Sequence, residues 1–531
     1  MKTQLERGTK VNAKHWRRSS AYRVVDLFAG PGGLGEGFAL CVDERQRPRF
    51  NNVVSIERDK YSHQTLLLRH FIRQFPAGEV PDDYYAFLAG EFSRDQLYER
   101  YPEAHRHAAL SALQISLGSE THKQVHGIIQ ERIGDSGRWA LVGGPPCQAY
   151  SLAGRSRMMG RSDFVRDERH TLYLEYLRII ARHCPPVFVM ENVKGLLSAT
   201  IEGKSAITRI VGDLSNPHTA VPCAAMDLRY KLYSLTEEDI AEEQVDPRLF
   251  VVRAEDYGIP QARHRMFIVG IRSDLKIRPG ILKRMAAPTV KETIGSLPPI
   301  RSGLSKERDS AAAWLRELRA ISGIDVRRHL NGATYAGEIA GALDFRNLIE
   351  VESPRAVSSR RYTMRRPAHD VLRSLYDERL PVLTAHEARS HMASDLRRYF
   401  YAATYAQKTG QSPRLADFPA GLLPDHRNVE LGRRGKMFSD RFRVQLADHV
   451  SSTITSHISK DGHYFIHYDP AQCRSLTVRE AARLQTFPDS YFFAGPRTEQ
   501  YHQVGNAVPP QLAKQIAQIV AEVLDAVRDK H

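Results

Sequence analysis

Much of what this chain is can be narrowed by what it lacks. Only five of its 531 residues are cysteine (Cys41, Cys147, Cys184, Cys223 and Cys473), with no Cys-x-x-Cys pair and no histidine at zinc spacing. That argues against a disulfide framework or a structural metal and for a reducing, cytoplasmic setting. No apolar run approaches the ~20 residues that span a bilayer, so no membrane association is expected. The first twenty residues are basic and polar without a hydrophobic stretch, which reads as a frayed arm rather than a secretory signal. Neither an internal repeat nor a low-complexity tract is present. Acidic residues are in deficit, 61 against 76 Lys and Arg, giving +15 and a pI near 9.5. Residues 351–450 hold 18 basic and 11 acidic side chains, and so +7 of that charge. Such a surplus suggests a polyanionic partner, most simply nucleic acid.

The stretch Gly143-Gly144-Pro145-Pro146-Cys147-Gln148 follows an apolar run, Trp139–Val142, that reads as a buried strand. It places one cysteine on a stiff turn at a strand's C-terminal edge, where ligands bind in open α/β sheets. A thiol there is either a nucleophile or a small packed residue, and the turn alone does not choose. A second predicted strand, Val187–Met190, runs into Glu191 at the same edge, and an acid so placed can have a raised pKa and donate a proton. Arg263 and Arg265 alternate on an extended segment before the strand Met266–Ile271, so both are expected on one face, suited to an anion or a carbonyl.

A nucleoside site is predicted at the start of the chain. Tyr22–Phe28 reads as a strand that enters Gly30-x-Gly32-x-x-Gly35 and then a helix, and a second strand, Asn52–Ile56, ends at Glu57. The glycines allow close approach of a ligand, and the acid can accept from a ribose diol. This pattern does not separate a dinucleotide from S-adenosylmethionine. Residues 61–138 read as mainly helical, with a short strand near Ala112–Ser116. The loop after Cys147 is rich in Gly and Arg, including Arg155, and is expected to be mobile and to grip phosphates. Arg360-Arg361 with Arg365, and Arg433-Arg434, are the densest basic clusters and are predicted to form a polyanion-binding surface. His386 and His391 lack further ligands at metal spacing. Strand-like runs are predicted at Ser451–Ser456 and His463–His467, and helices at Thr477–Gln485 and Leu512–Val527.

Six blocks in order, DLFAGPGG (26–33), GGPPCQAYS (143–151), ENV (191–193), QARHR (261–265), REAARLQTFPD (479–489) and QVGNAVPP (503–510), resemble the DNA cytosine-5 methyltransferases of bacterial modification type. The resemblance implies an α/β, Rossmann-like S-adenosylmethionine-dependent domain with a mixed, mostly parallel sheet. It implies an N-terminal arm at 1–20, a catalytic domain at 21–285 and 490–531, and an inserted target-recognition domain at 286–489. Cys147 would attack C6 of a flipped cytosine, Glu191 would donate to N3, Arg265 would contact O2, and Arg263 would support the site. Phe28, Ala29, Gly30, Gly32, Gly33, Leu34, Glu57, Pro145, Leu172, Asn506, Ala507 and Val508 would form the S-adenosylmethionine pocket. Gln148, Ser151 and Arg155 would contact opened DNA. The implied partners are double-stranded DNA and a cognate restriction endonuclease or other defence protein, with the enzyme itself a monomer. Two departures stand out. The family's Gly-Asp near the adenine has only Gly118-Ser119 as a candidate, and the 61–138 segment exceeds what a minimal enzyme needs.

Overall fold

The computed structural model describes residues 21–76, 78–146, 168–201, 204–221, 229–238, 246–306, 308–323, 326–330, 333–343, 356–362, 366–424, 429 and 439–527. Its principal strands are β1 (Tyr22–Leu27), β2 (Phe50–Glu57), β3 (Ala112–Gln114), β4 (Trp139–Gly143), β5 (Val187–Val193), β6 (Tyr230–Tyr233), β7 (Val251–Arg253) and β8 (His264–Arg272). They form one sheet in the order β3-β2-β1-β4-β5-β8-β6, with β7 also paired to β8. β3 through β5 run parallel. β8 is antiparallel to β5, β6 and β7. The sheet is therefore mixed and mostly parallel, as the Rossmann-like reading requires.

The helices used below are α1 (Gly33–Ala39), α2 (Lys60–Ile72), α3 (Asp82–Ala89), α4 (Arg94–Arg100), α5 (Pro102–Ser111), α6 (His122–Ile133), α7 (Glu168–His183), α8 (Ala206–Ser215), α9 (Ala311–Arg319), α10 (Ala393–Thr409), α11 (Val478–Leu484), α12 (Arg497–Asn506) and α13 (Pro510–Ala526). Parallel strands covered on both faces must be apolar throughout, and β4 is buried along its whole length. Alternate strand residues serve opposite layers. Val25, Leu141 and Phe188 join a core with α6, α7 and α8. Val24, Val142 and Val189 join another with α1 and α13. The two helices α1 and α13 touch so closely that a Cβ on Gly37 would lie 2.3 Å from that of Ala513.

Within the segment read as an insert, residues from Leu304 to Cys473 share a core in which Trp314 and Leu318 of α9 meet Leu396, Tyr399 and Phe400 of α10. α11, capped by Thr477 in a reciprocal bond with Glu480, packs instead with Tyr491, Tyr501 and Val504. One core thus spans both sides of residue 489. Helices α2 to α5 account for the long 61–138 segment. They pack with Leu380 and Phe492, Arg379 pairs with Asp82 at 2.6 Å, and the Tyr84 hydroxyl donates to the Ser490 carbonyl at 2.6 Å. The segment braces the insert against the C-terminal return.

The strand-like runs at Ser451–Ser456 and His463–His467 are shorter than predicted. Only Ser451–Ser452 forms a ladder, with Gln261–Ala262, and Ile466 makes isolated bridges. Side chains take the place of a ladder here. The Gln261 side-chain oxygen Oε1 accepts from the Ile454 amide at 2.8 Å, and the Gln445 side chain bridges Ser452 and Tyr464. No helix among the described residues is long and apolar enough to cross a membrane.

Candidate active site

At the end of β1 the backbone turns through left-handed residues: Phe28 and Gly30 both at φ 57° and Gly32 at φ 98°. For Phe28 this is a strained conformation of the kind that persists where the surroundings enforce it. Glu57, at the tip of β2, enforces it. Its carboxylate accepts from the Gly30 amide at 2.8 Å and the Asp59 amide at 2.7 Å. Burial raises the Glu57 pKa and these amides oppose the rise. A carboxylate has about four acceptor sites, so Glu57 retains capacity for a diol. From the other side, the Tyr491 hydroxyl donates to the Pro31 carbonyl at 2.6 Å, and a Cβ on Gly33 would lie 2.3 Å from the Val508 carbonyl oxygen. The block at 503–510 therefore closes on the glycine turn.

The second half of the site is built where β4 and β5 end side by side. Room for the Glu191 carboxyl exists because residue 144 is glycine: a Cβ there would stand 2.9 Å from Glu191 Oε2. Asn192 donates its side-chain amide to the Pro145 carbonyl at 3.3 Å, fixing the proline turn against β5. Arg265 Nε lies 3.2 Å from Glu191 Oε1, with the two side chains only 17% and 15% exposed. Burial pushes the Glu191 carboxyl above its ordinary range, against the pull of Arg265 and then Arg263. The carboxyl is thus biased toward its protonated form while held by a guanidinium.

Arg263 is held by different partners from Arg265. Although it is within electrostatic reach of Glu191, its guanidinium is fully buried and donates to the Ile454 carbonyl at 2.8 Å and the Gly505 carbonyl at 3.1 Å. It ties the segments around Ile454 and Gly505 to the start of β8. Arg360 is exposed, and its Nη2 donates to the Leu88 and Ala89 carbonyls at 2.8 Å each, at the C-terminal end of α3. Arg361 is exposed. Cys147, Gln148, Ser151, Arg155, Arg365, Arg433 and Arg434 lie outside the described residues.

A cavity of 480 Å³ joins the two halves. Phe28, Ala29, Gly30, Gly33, Leu34, Glu57, Pro145, Leu172, Asn506, Ala507 and Val508 all line it, and so does Glu191. Gly32 does not: it supplies the left-handed cap of α1 and faces Leu66 and Tyr491. In place of an acidic third-strand residue the wall offers Ile115 and Leu117, an apolar slot for a flat ring. Sequence reasoning missed Asp26, Arg58, Asp59, Glu499 and His502, which also line the cavity. Asp26 is 1% exposed, and among the described residues neither oxygen has a hydrogen-bond partner of good geometry. Burial raises its pKa to about 7; Arg73 opposes this, the Glu57 charge adds to it, and the Gly35 amide opposes it weakly. An orphaned carboxylate facing a cavity is a place for a ligand cation.

A model of the family described as C-5 cytosine-specific DNA methylase matches residues 119–216 and 238–522. Over 524 residues the chain is 30% identical to the Type II methyltransferase M.Bpa9945I of Bacillus paralicheniformis, covering 94% of this chain and 99% of that one. It is 28% identical over 422 residues to the DNA (cytosine-5-)-methyltransferase M.ApeKI of Aeropyrum pernix, covering 73% and 82% respectively. A solved structure of a prophage-encoded DNA modification methyltransferase from E. coli shares the fold, with a TM-score of 0.52 at 19% identity, over 95% of this chain and all of that one.

Proposed function

The chain belongs to the C-5 cytosine-specific DNA methylase family and is a DNA (cytosine-5-)-methyltransferase of bacterial modification type, and from that premise we propose that it methylates C5 of a flipped cytosine in a specific double-stranded sequence, with S-adenosylmethionine as donor. The observation that carries this reading is that one cavity is lined both by the Glu57-clamped glycine turn and by Glu191 beside the proline turn that leads to Cys147.

The pocket suits this donor better than a dinucleotide. Its described wall carries five carboxylates (Asp26, Glu57, Asp59, Glu191 and Glu499) against two basic side chains, Arg58 and His502. A pyrophosphate would be repelled there, while a ligand bearing a sulfonium and an ammonium is favoured. Glu57 would hold the ribose, Ile115 and Leu117 the adenine, and the glycine turn with Asn506 the amino-acid end. When bound, the donor supplies an electrophilic methyl group.

The protein's part is to make C5 able to take it. Cytosine stacked in a duplex is out of reach, so the base must be extruded at a cost of a few kcal/mol. The Cys147 thiolate adds to C6, forming a carbon–sulfur bond, while the Glu191 carboxyl passes its proton to N3. Arg265 holds that carboxyl in place and meets O2. The ring is then an enamine whose C5 would accept the methyl group, the carbon–sulfur bond of the sulfonium breaking to leave the neutral thioether S-adenosylhomocysteine. Loss of the C5 proton expels the thiolate, and N3 returns its proton. Covalent addition replaces one difficult substitution by easier steps. A free thiol has a pKa of ~8.5, so the site must favour the thiolate. In a cell such an enzyme marks sites against a companion restriction endonuclease.

A duplex carrying 5-fluorocytosine at the target cannot complete the last step. Incubated with protein and donor, it should yield a covalent protein–DNA species, located at Cys147 by peptide mass spectrometry. The Cys147→Ala variant should yield none while still binding DNA; an adduct formed without Cys147 would overturn the assignment.

A further inference from the structure

α12 carries a polar face into the pocket. Glu499, His502, Gln503 and Asn506 stand at i, i+3, i+4 and i+7, one side of a helix, and all four line the cavity. Of these, Gln503 is occupied. Its side-chain oxygen accepts from the Thr65 hydroxyl at 2.6 Å and its amide donates to the Ala494 carbonyl at 2.8 Å. His502 is engaged on one nitrogen, with Nδ1 lying 3.3 Å from Glu499 Oε2, and its side chain is 34% exposed. No hydrogen bond to Nε2 is found among the described residues, and the residue lines the cavity.

The donor proposed above has one anionic group, the carboxylate of its methionine part. In a wall where carboxylates predominate, that group needs a cationic donor, and the described lining offers only Arg58 and His502. Arg58 directly follows Glu57, at the ribose end. His502 is one helical turn before Asn506, where the return packs on the glycine turn through Gly33 and Val508. With the ribose held at Glu57, the amino-acid end extends along the glycine turn toward α12. We propose that His502, oriented by Glu499, binds the carboxylate of the methionine moiety, which makes the pair a determinant of cofactor specificity. This rests on the reading of S-adenosylmethionine as donor.

Calorimetric titration of the full-length protein with three ligands tests it: S-adenosylmethionine, decarboxylated S-adenosylmethionine and 5′-methylthioadenosine. The wild type should prefer the first to the second by ~10-fold or more, as for a charge-assisted hydrogen bond. His502→Ala should bind those two alike, with 5′-methylthioadenosine binding unchanged as evidence that the pocket is intact. Glu499→Gln should lose part of the preference. If His502→Ala retains the full preference, the carboxylate is bound elsewhere and the proposal fails. If the wild type binds none of the three, the donor reading itself fails.

Discussion

Glu191→Gln should lower single-turnover methyl transfer by ~10²–10⁴-fold, the usual contribution of a positioned proton donor, with cofactor and DNA binding retained. Glutamine keeps the shape and leaves an oxygen for Arg265 Nε, which lies 3.2 Å away in the native pair. It also fits the space above Gly144. What it lacks is an acidic proton. Burial raises the native carboxyl's pKa, Arg265 and Arg263 opposing, so the protonated form survives closer to neutral pH than for an ordinary glutamate. The proton-donating form is lost as pH rises through that raised pKa. The wild-type rate should therefore fall on the alkaline side through a group that the variant no longer has. A variant as fast as wild type, with the same alkaline limb, would remove Glu191 from the chemistry.

Asp489→Ala should destabilise the fold by ~3–5 kcal/mol, the cost of leaving a buried partner charge uncompensated. Arg483 and Asp489 are both 0% exposed and meet through two parallel bonds, at 2.8 and 2.9 Å. Asp489 also accepts from the Tyr362 hydroxyl at 3.1 Å, and Arg483 reaches the Ser296 hydroxyl at 3.0 Å. One pair thus links α11 to Tyr362 and Ser296. Asp43→Ala, which breaks a surface pair with Arg47, should shift the urea midpoint far less. Urea midpoints for the two variants check the contrast; equal shifts would mean that the buried pair contributes no more than a surface one.

The sequence revealed those features that rest on local pattern. β1, β2, β4 and β5 are short apolar runs ending in glycine or an acid, and their parallel order brings Glu57 and Glu191 to one edge. The cavity wall was legible through the blocks at 26–33 and 503–510 for the same reason. Features set by distant partners were not. The acceptors of Arg263 lie 191 and 242 residues away, and those of Arg360 more than 270, so both arginines read as surface or site cations. Asp26 opens the block at 26–33, but its lack of hydrogen-bond partners among the described residues follows from burial, which the local pattern does not show. The face of α12 was readable in its 3–4 residue spacing, but only Gln503 and Asn506 fell within a recognised block. The runs at 451–467 have strand composition, yet glutamine side chains satisfy their backbone.

The most direct measurement is bisulfite sequencing of DNA from cells producing the protein, compared with cells producing Cys147→Ala. Unconverted cytosines should recur at one position of one short sequence in the first sample and vanish in the second. Complete conversion in both, or protected sites that persist without Cys147, would contradict the account.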